Sequence, residues 1–293
     1  MRNEGNPLIS VCIINYNQGR FFADALNSYL SQTYKELELI VIDDCSTDNS
    51  VEVINRLLNE KNVKANFICN KANQGICKNM NLGIAVGKGS YFSVVASDDY
   101  FGPKRYEKLM NAAKQADDSY KLFYSNCKMV DEEGKILCND FFSYCRPNLK
   151  NINGDIFYEL LNGNFIPAIA LLIDKKVFCE VGKFDESLRL EDFDMWLRIA
   201  RRFKVGFVKD DEVYYRQVGN SCLKTLQKTG PYYKEHFNVV YRHYYYLNMP
   251  KRKKIVLILY NYYKSTLKRT KEVDLMMTKR MIAAWFASFI NVR

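Results

Sequence analysis

Between residues 8 and 96, short apolar runs rich in β-branched residues alternate with segments whose apolar residues recur at helical spacing. This alternation constrains the fold more than any other feature of the chain. Residues 8–15 (LISVCIIN) form an apolar run, and Phe22, Leu26, Tyr29 and Leu30 then follow on one helical face. Residues 37–43 (LELIVID) repeat the buried-strand pattern. Ser46 or Thr47 stands where an N-cap belongs, and Val51, Ile54, Leu57 and Leu58 mark the next helix. The unit recurs through a strand at 65–69, a helix at 75–86 and a strand at 91–96 (YFSVVA), with Gly87-Lys88-Gly89 as the turn before the last. Strands and helices in this order predict an α/β domain, Rossmann-like, with a mostly parallel sheet flanked by helices.

Further along, Pro103 suits the first turn of a helix running to about residue 116, and residues 121–137 read as a hairpin turning at Asp131 to Gly134. Residues 166–173 (IPAIALLI) read as a strand and 190–203 as a helix carrying Phe193, Trp196, Leu197 and Ala200. One more strand at 205–215 closes the domain. Beyond Gly219 the chain turns helical, basic and tyrosine-rich, so a catalytic domain is expected over 1–221 and a C-terminal helical appendage over 222–293. A chain of 293 residues, nearly half of them apolar, can bury a core of that size.

The nine cysteines are scattered, odd in number and never spaced Cys-x-x-Cys, which argues against a disulfide framework or a zinc site and for reduced cytoplasmic thiols. Residues 1–7 are polar and lead directly into a strand, so no secretory segment is expected. The longest apolar stretches, 255–260 and 281–290, fall short of the roughly 18 to 20 residues of a membrane span.

Three acidic clusters stand where α/β enzymes place chemistry, at or beyond strand C-termini: Asp43-Asp44, Asp98-Asp99 and Glu191-Asp192. Asp98 and Asp99 offer the hard oxygen ligands that suit Mg²⁺ or Mn²⁺, or else form an acidic turn. Asp44 could accept hydrogen bonds from a nucleobase or ribose; equally, Asp44, Ser46 and Asp48 could be turn and cap residues. Glu191 and Asp192 open a helix, where acids are favoured by the helix dipole in any case. Both histidines, His236 and His243, lie in the appendage, which leaves a carboxylate as the natural base of the α/β part.

The string from Ile9 to Ile54, ISVCIINYNQGRFFADALNSYLSQTYKELELIVIDDCSTDNSVEVI, is similar to the opening of family 2 glycosyltransferases. Asn73-Gln74-Gly75, Asn81-Leu82-Gly83, Gly89-Ser90-Tyr91, Ser97-Asp98-Asp99 and Gly182-x-Phe184-Asp185-Glu186 follow in the family's order. So does Glu191-Asp192-x-Asp194-x-Trp196-Leu197-Arg198. The resemblance covers about residues 7–220. It implies a GT-A fold, a nucleotide-sugar donor, most simply a UDP-sugar, and inversion at the anomeric carbon. Position by position, it implies that Asn15 and Tyr16 line the base, Asp44 binds the base's ring nitrogen, Asp98 holds ribose or donor sugar, and Asp99 holds Mn²⁺ or Mg²⁺. Asp192 is then the catalytic base, with Glu191 beside it.

Three departures from the family pattern bear on the donor. An acid is common where Ala96 stands, an Arg where Met80 stands, with Lys78 one turn away to supply charge, and a Gly where Cys45 stands. Arg216 and Asn220-Ser221 resemble a lid segment that closes over donor phosphates. A glycan or lipid-linked glycan would be the acceptor, as in surface polysaccharide biosynthesis.

The net charge of +10 is concentrated after Leu223, where Tyr232-Tyr233, Tyr244-Tyr245-Tyr246, Lys251-Arg252-Lys253-Lys254, Tyr262-Tyr263 and Trp285-Phe286 interleave aromatic and basic residues. This suits an anionic membrane surface, hence a cytoplasmic protein peripheral to the inner face of the plasma membrane. The alternative is that these faces pack on the catalytic domain or on a second copy in a homodimer; no nucleic-acid partner is expected. Two other functions compete with sugar transfer. A sugar nucleotidyltransferase would need a Gly-rich basic loop after the first strand, and Asn15-Tyr16-Asn17-Gln18-Gly19 matches it poorly. A catalytically silent scaffold would not need all three acidic clusters.

Overall fold

Buried β-branched runs form the parallel strands β1 (Ile9–Asn15), β2 (Leu37–Asp43) and β4 (Tyr91–Ala96), and β3 (Ala65–Cys69), parallel to β2 and partly exposed, lies at the sheet edge. The computed structural model describes residues 5–147, 149, 152–188, 191–210, 212–219, 230–270 and 273–288. All seven residues of β1 are buried, because helices cover both faces of the sheet. Those helices include α1 (Phe22–Leu30), α2 (Ser50–Glu60) and α3 (Ile76–Val86). α3 lies close to the sheet at Gly83, where an added Cβ would fall 2.6 Å from Cys12 Sγ.

The first sheet extends past β4 through β9 (Leu171–Asp174), β6 (Tyr120–Tyr124) and β10 (Lys204–Phe207), giving the order β10-β6-β9-β4-β1-β2-β3 with β9 antiparallel to both its neighbours. The chain winds outward from β1 to β3 and then returns to β4 on β1's other side. β1 and β4 therefore flank a topological switch point, where α/β sheets open a crevice at their strand C-termini. A second, four-stranded sheet orders β5 (Tyr100–Phe101), β11 (Val213–Arg216), β7 (Lys128–Val130) and β8 (Ile136–Cys138) as β5-β11-β7-β8. It brings β11 against the loop that follows β4.

Several sequence expectations change here. The hairpin read over 121–137 is two things: Tyr120–Tyr124 belongs to the large sheet, and only β7 and β8 pair around the Asp131 to Gly134 turn. The single strand read over 205–215 is β10 and β11, in different sheets, broken where buried Asp210 meets Lys108 Nζ at 2.6 Å. Residues 166–173 hold a 3₁₀ turn at Ala168–Ala170 before β9 begins. Leu30 is exposed rather than on the buried face of α1. Neither Ser46 nor Thr47 caps α2. Asn49 holds that position, while Ser46 donates its N–H (2.9 Å) and Oγ (2.6 Å) to Asp43.

Among the described residues the tail holds three helices, Gly230–Tyr244, Met249–Thr270 and Leu275–Ala287. Phe237, Val240, Tyr244, Ile255 and Leu259 share one core with Phe193, Trp196 and Leu197 of α8 (Glu191–Ala200), so much of the tail's apolar surface packs on the α/β body. The Tyr244 hydroxyl donates to the Ala284 carbonyl at 2.7 Å. Leu257, Leu275, Met276, Ile282, Trp285 and Phe286 are left exposed. The expected domain boundary near residue 222, with Asn220 and Ser221, lies outside the described residues. Among the described residues no helix is long and apolar enough to cross a membrane.

Candidate active site

The end of β1 is the hub from which two acidic loops hang. Asp44 N–H donates to the Asn15 carbonyl at 2.8 Å on one side, and Ser97 N–H donates to the Ile14 carbonyl at 3.0 Å on the other. The Asn15 side chain is fully buried and ties the three strand ends together. Its Nδ2 donates to Asp43 Oδ1 (2.8 Å) and Ser46 Oγ (3.1 Å), and its Oδ1 accepts from Ser97 Oγ (2.7 Å). Asn15 is thus the clasp beneath the crevice, its amide consumed by protein partners. Asn15→Ala leaves the buried Ser97 Oγ without its acceptor and removes one of the donors to Asp43, and should cost about 1–3 kcal/mol of stability, measurable by urea denaturation; a loss within a few tenths would show that the clasp is dispensable.

Asp44 is almost wholly buried and holds the loop between β3 and α3. Its Oδ1 accepts from Asn70 Nδ2 (2.8 Å) and Gln74 N–H (2.7 Å), and its Oδ2 from Gly75 N–H (2.9 Å). Burial opposes its charge, but the Gln74 N–H, the Asn79 and Asn70 amides and the Gly75 N–H outweigh burial and hold the carboxyl below its ordinary range. Its stabilisation is present above the unfolded-chain pKa and is lost as pH falls through the lower folded one. Gly75, at φ 83°, supplies the left-handed turn that aims its N–H at Asp44.

Cys45 also adopts the left-handed conformation, at φ 62°, which glycine takes without steric cost. Cys45→Gly should relieve roughly 1 kcal/mol of this strain, read as a raised urea midpoint; an unchanged or lowered midpoint would show that the strain is offset elsewhere.

Tyr16, next to Asn15 at the end of β1, is about half exposed. Lys78 is exposed on the first turn of α3, with Nζ 3.3 Å from Gln74 Oε1. Met80 is buried in the core, so the residue at that position packs rather than facing a donor.

Across β1, Asp98 is partly exposed and Asp99 is buried, with Asp99 Oδ1 accepting the Arg216 N–H at 2.8 Å. Burial pushes both carboxyls above their ordinary range, and the neighbouring Asp98 charge pushes Asp99 further. Arg216 ends β11 rather than standing in a loop. Its guanidinium lies between the Phe21 and Tyr100 rings (4.4 and 5.1 Å) and pairs with Asp24 at 2.7 Å. Its charge moderates both aspartates while its main chain fixes Asp99.

No cluster of three or more His, Cys, Asp or Glu side chains suited to a metal occurs among the described residues. Two adjacent carboxyls held unfavourably charged do fit a divalent cation that takes one or two carboxylates plus substrate phosphates.

Asp192, on the first turn of α8, completes the site. Burial raises its carboxyl to about 6, against hydrogen bonds from Phe193 N–H (2.6 Å) and Asn164 Nδ2 (3.0 Å). Burial pushes the Tyr215 phenol up, and the charges of Asp99, Asp98 and Asp192 all push it the same way. Glu191 opens the same helix, and its side chain lies outside the described residues.

No sequence pattern singles out Asn164 or Tyr215. Asn164 stands 28 residues from the acid it contacts, and Tyr215 reads as one apolar residue of a strand. Asn164→Ala removes a hydrogen bond that favours the charged Asp192 carboxylate, so a rate that depends on that carboxylate should have its acid limb moved to higher pH. An unmoved limb would separate Asn164 from that dependence.

Two distant motifs meet through Asn81, whose Nδ2 donates to the Phe184 carbonyl (3.0 Å) and Glu186 Oε1 (2.9 Å) while its Oδ1 accepts the Phe184 N–H (3.0 Å). This brace joins α3 to the segment that leads into α8.

A doubly wound sheet with carboxylates gathered at its switch point is the frame of a nucleotide-dependent transferase, and the comparisons with known proteins narrow the class. The family model described as glycosyl transferase family 2 matches residues 10–173. The chain is 30% identical over 234 residues to an uncharacterized glycosyltransferase of Rickettsia typhi, spanning 78% of this chain and 70% of that one. It is 32% identical over 206 residues to an uncharacterized glycosyltransferase of Rickettsia felis, of which it spans only 33%.

Among solved structures, Staphylococcus aureus TarS 1–349 in complex with UDP-GlcNAc superposes with a TM-score of 0.64 at 17% identity, over 96% of this chain and 80% of that one. The mannosyltransferase PcManGT of Pyrobaculum calidifontis, in complex with GDP-Man and Mn²⁺, superposes with a TM-score of 0.57 at 13% identity, over 98% and 82%. The fold is GT-A, and the chain belongs to glycosyltransferase family 2.

Proposed function

We propose that the protein is an inverting glycosyltransferase that moves one hexose from a UDP-sugar to a hydroxyl of a glycan or lipid-linked glycan, in surface polysaccharide biosynthesis on the cytoplasmic side of a membrane. The observation that carries this reading is the carboxylate pair Asp98 and Asp99 after β4 at the switch point, with Asp99 fixed by the Arg216 N–H and with the charges of Asp98, Asp99 and Asp192 all acting on the Tyr215 phenol. Tyr16 offers its exposed ring to the base, and Asp44, with the loop it holds, borders the base pocket. Lys78 adds a positive charge at the N-terminal end of α3, where donor phosphates are favoured. Asp98 and Asp99 would hold Mn²⁺ or Mg²⁺, which when bound neutralises the departing diphosphate.

Asp192 takes the proton of the acceptor hydroxyl as its oxygen attacks the anomeric carbon. With its pKa raised to about 6 it is mostly ionised at pH 7 yet more basic than an ordinary aspartate. One base suffices for inversion, with no covalent intermediate. The TarS complex, which contains UDP-GlcNAc, supports a UDP-sugar as donor. The exposed Leu257, Trp285 and Phe286 beside Lys253 and Lys254 support contact of the tail with an anionic membrane. Nucleotide release from a panel of UDP-, GDP- and dTDP-sugars tests the proposal: turnover of a UDP-sugar is expected, and inertness toward every donor would refute it.

A further inference from the structure

On the face of α8 turned toward the tail lies a cavity of about 350 Å³ unrelated to the acidic crevice. Its walls carry four cationic side chains, Lys183, Arg198, Arg201 and Arg242, with His243, against two carboxylates, Asp185 and Asp194. The carboxylates are already answered. Asp194 pairs with Arg198 Nε at 2.8 Å and lies 3.6 Å from Arg242, and Asp185 pairs with Arg242 at 2.9 Å. Lys183 and Arg201 remain without a carboxylate partner among the described residues, and Arg201 is held flat over the Tyr246 ring at 4.0 Å. The walls therefore carry an excess of two positive charges.

Behind these walls two polar atoms, Arg198 Nη2 and His243 Nδ1, are fully buried and have no partner, while His243 Nε2 lies 3.9 Å from Asp194 Oδ1. Neither atom reaches the cavity surface, so the groups open to an occupant are the Lys183 ammonium and the Arg201 and Arg242 guanidiniums. An ammonium with two guanidiniums, one of them over an aromatic ring, is a receptor for a dianion. The volume exceeds by several times the roughly 30 Å³ share of one liquid water, so a phosphate group with some of its hydration fits.

We propose that this cavity is a second site, separate from the donor crevice, that binds a phosphoryl dianion, either a free phosphate or diphosphate or the phosphate of a lipid headgroup. Arg242 and His243 come from the Gly230–Tyr244 helix, Asp194 and Arg198 from α8, Arg201 from just past its end and Lys183 and Asp185 from the segment before it, so an occupant would bridge the tail to the helix that carries Asp192.

The test is calorimetric titration of the full chain with sodium pyrophosphate in EDTA, beside cosedimentation with vesicles of phosphatidylcholine alone or with phosphatidic acid added. The Lys183→Ala/Arg201→Ala double variant is run in parallel. Loss of two charge-assisted contacts should weaken binding roughly tenfold or more, while the melting curve and nucleotide release from the sugar donor stay as in the wild type. Pyrophosphate binding that the double variant loses, without variant-sensitive vesicle binding, supports a free phosphate as occupant. Capture by phosphatidic acid vesicles that the variant loses supports a headgroup. No binding of either probe, or equal binding by the variant, overturns the site, whatever the outcome for sugar transfer.

Discussion

Asp192→Asn should fold, bind donor nucleotide as the wild type does and lose turnover by about 10²- to 10⁴-fold, the contribution expected of a positioned general base. The amide keeps the shape of the carboxylate and can still meet Asn164 Nδ2 through its oxygen, but it cannot take a proton. Burial raises the Asp192 pKa, so the folded chain binds this proton more tightly than the unfolded one. Its ionisation costs stability as pH rises from the ordinary aspartate value through about 6. Removing the charge therefore should not destabilise the protein near neutral pH. In the wild type the rate should fall as pH drops through about 6, and in the variant this limb should disappear from the residual rate. Normal turnover by Asp192→Asn, or a variant that loses donor affinity in step with rate, would remove Asp192 from the role of base.

Asp98→Asn/Asp99→Asn should abolish the response to divalent cation. Both carboxyls are raised by burial, and Asp99 also by its neighbour, so their ionisation opposes folding as pH rises above the ordinary aspartate range. A bound Mn²⁺ would relieve that opposition. Mn²⁺ is thus expected to raise the melting temperature of the wild type at pH 7 and not that of the double variant, and EDTA should remove most nucleotide release from the wild type. Losing a Lewis acid at a departing diphosphate removes several kcal/mol of charge stabilisation, a rate loss on the order of 10²-fold or more. Full activity in EDTA, or equal Mn²⁺ stabilisation of the variant, would contradict a cation at this pair.

Where local pattern decides structure, the sequence was readable. β1, β2 and β4 are buried on both faces and read as unbroken apolar runs, and α8 shows its buried Phe193, Trp196 and Leu197 at helical spacing. Where partner choice decides, it was not. Tyr120–Tyr124 looks like one arm of a hairpin, yet it is claimed by β9 and β10, the latter some eighty residues on. The break between β10 and β11 was signalled by Lys209-Asp210-Asp211, whose charges suit a loop better than a strand.

The site divides in the same way. Aspartates following apolar runs were visible, because strand C-termini are where such enzymes place them. Their partners came from far along the chain: Arg216 N–H on Asp99, Asn164 on Asp192, and the 70–75 loop on Asp44. Arg216 shows the limit most plainly. A basic residue after the last strand suggested a lid, but Phe21, Tyr100 and Asp24, distant in sequence, make it a buried anchor.

The tail's tyrosines were ambiguous for a related reason, since packing and membrane contact favour the same amphipathic pattern. Tyr244 and Phe237 are buried against α8's core, whereas Trp285 and Phe286 face outward.

In the proposed mechanism, attack by an acceptor oxygen activated by Asp192, on the face opposite the leaving diphosphate, would fix the stereochemistry of the product. The direct measurement is the anomeric configuration of the first sugar released or transferred from an α-linked UDP-sugar, followed by proton NMR before mutarotation. A β-configured product is predicted, and an α-configured product would contradict displacement by a single carboxylate base.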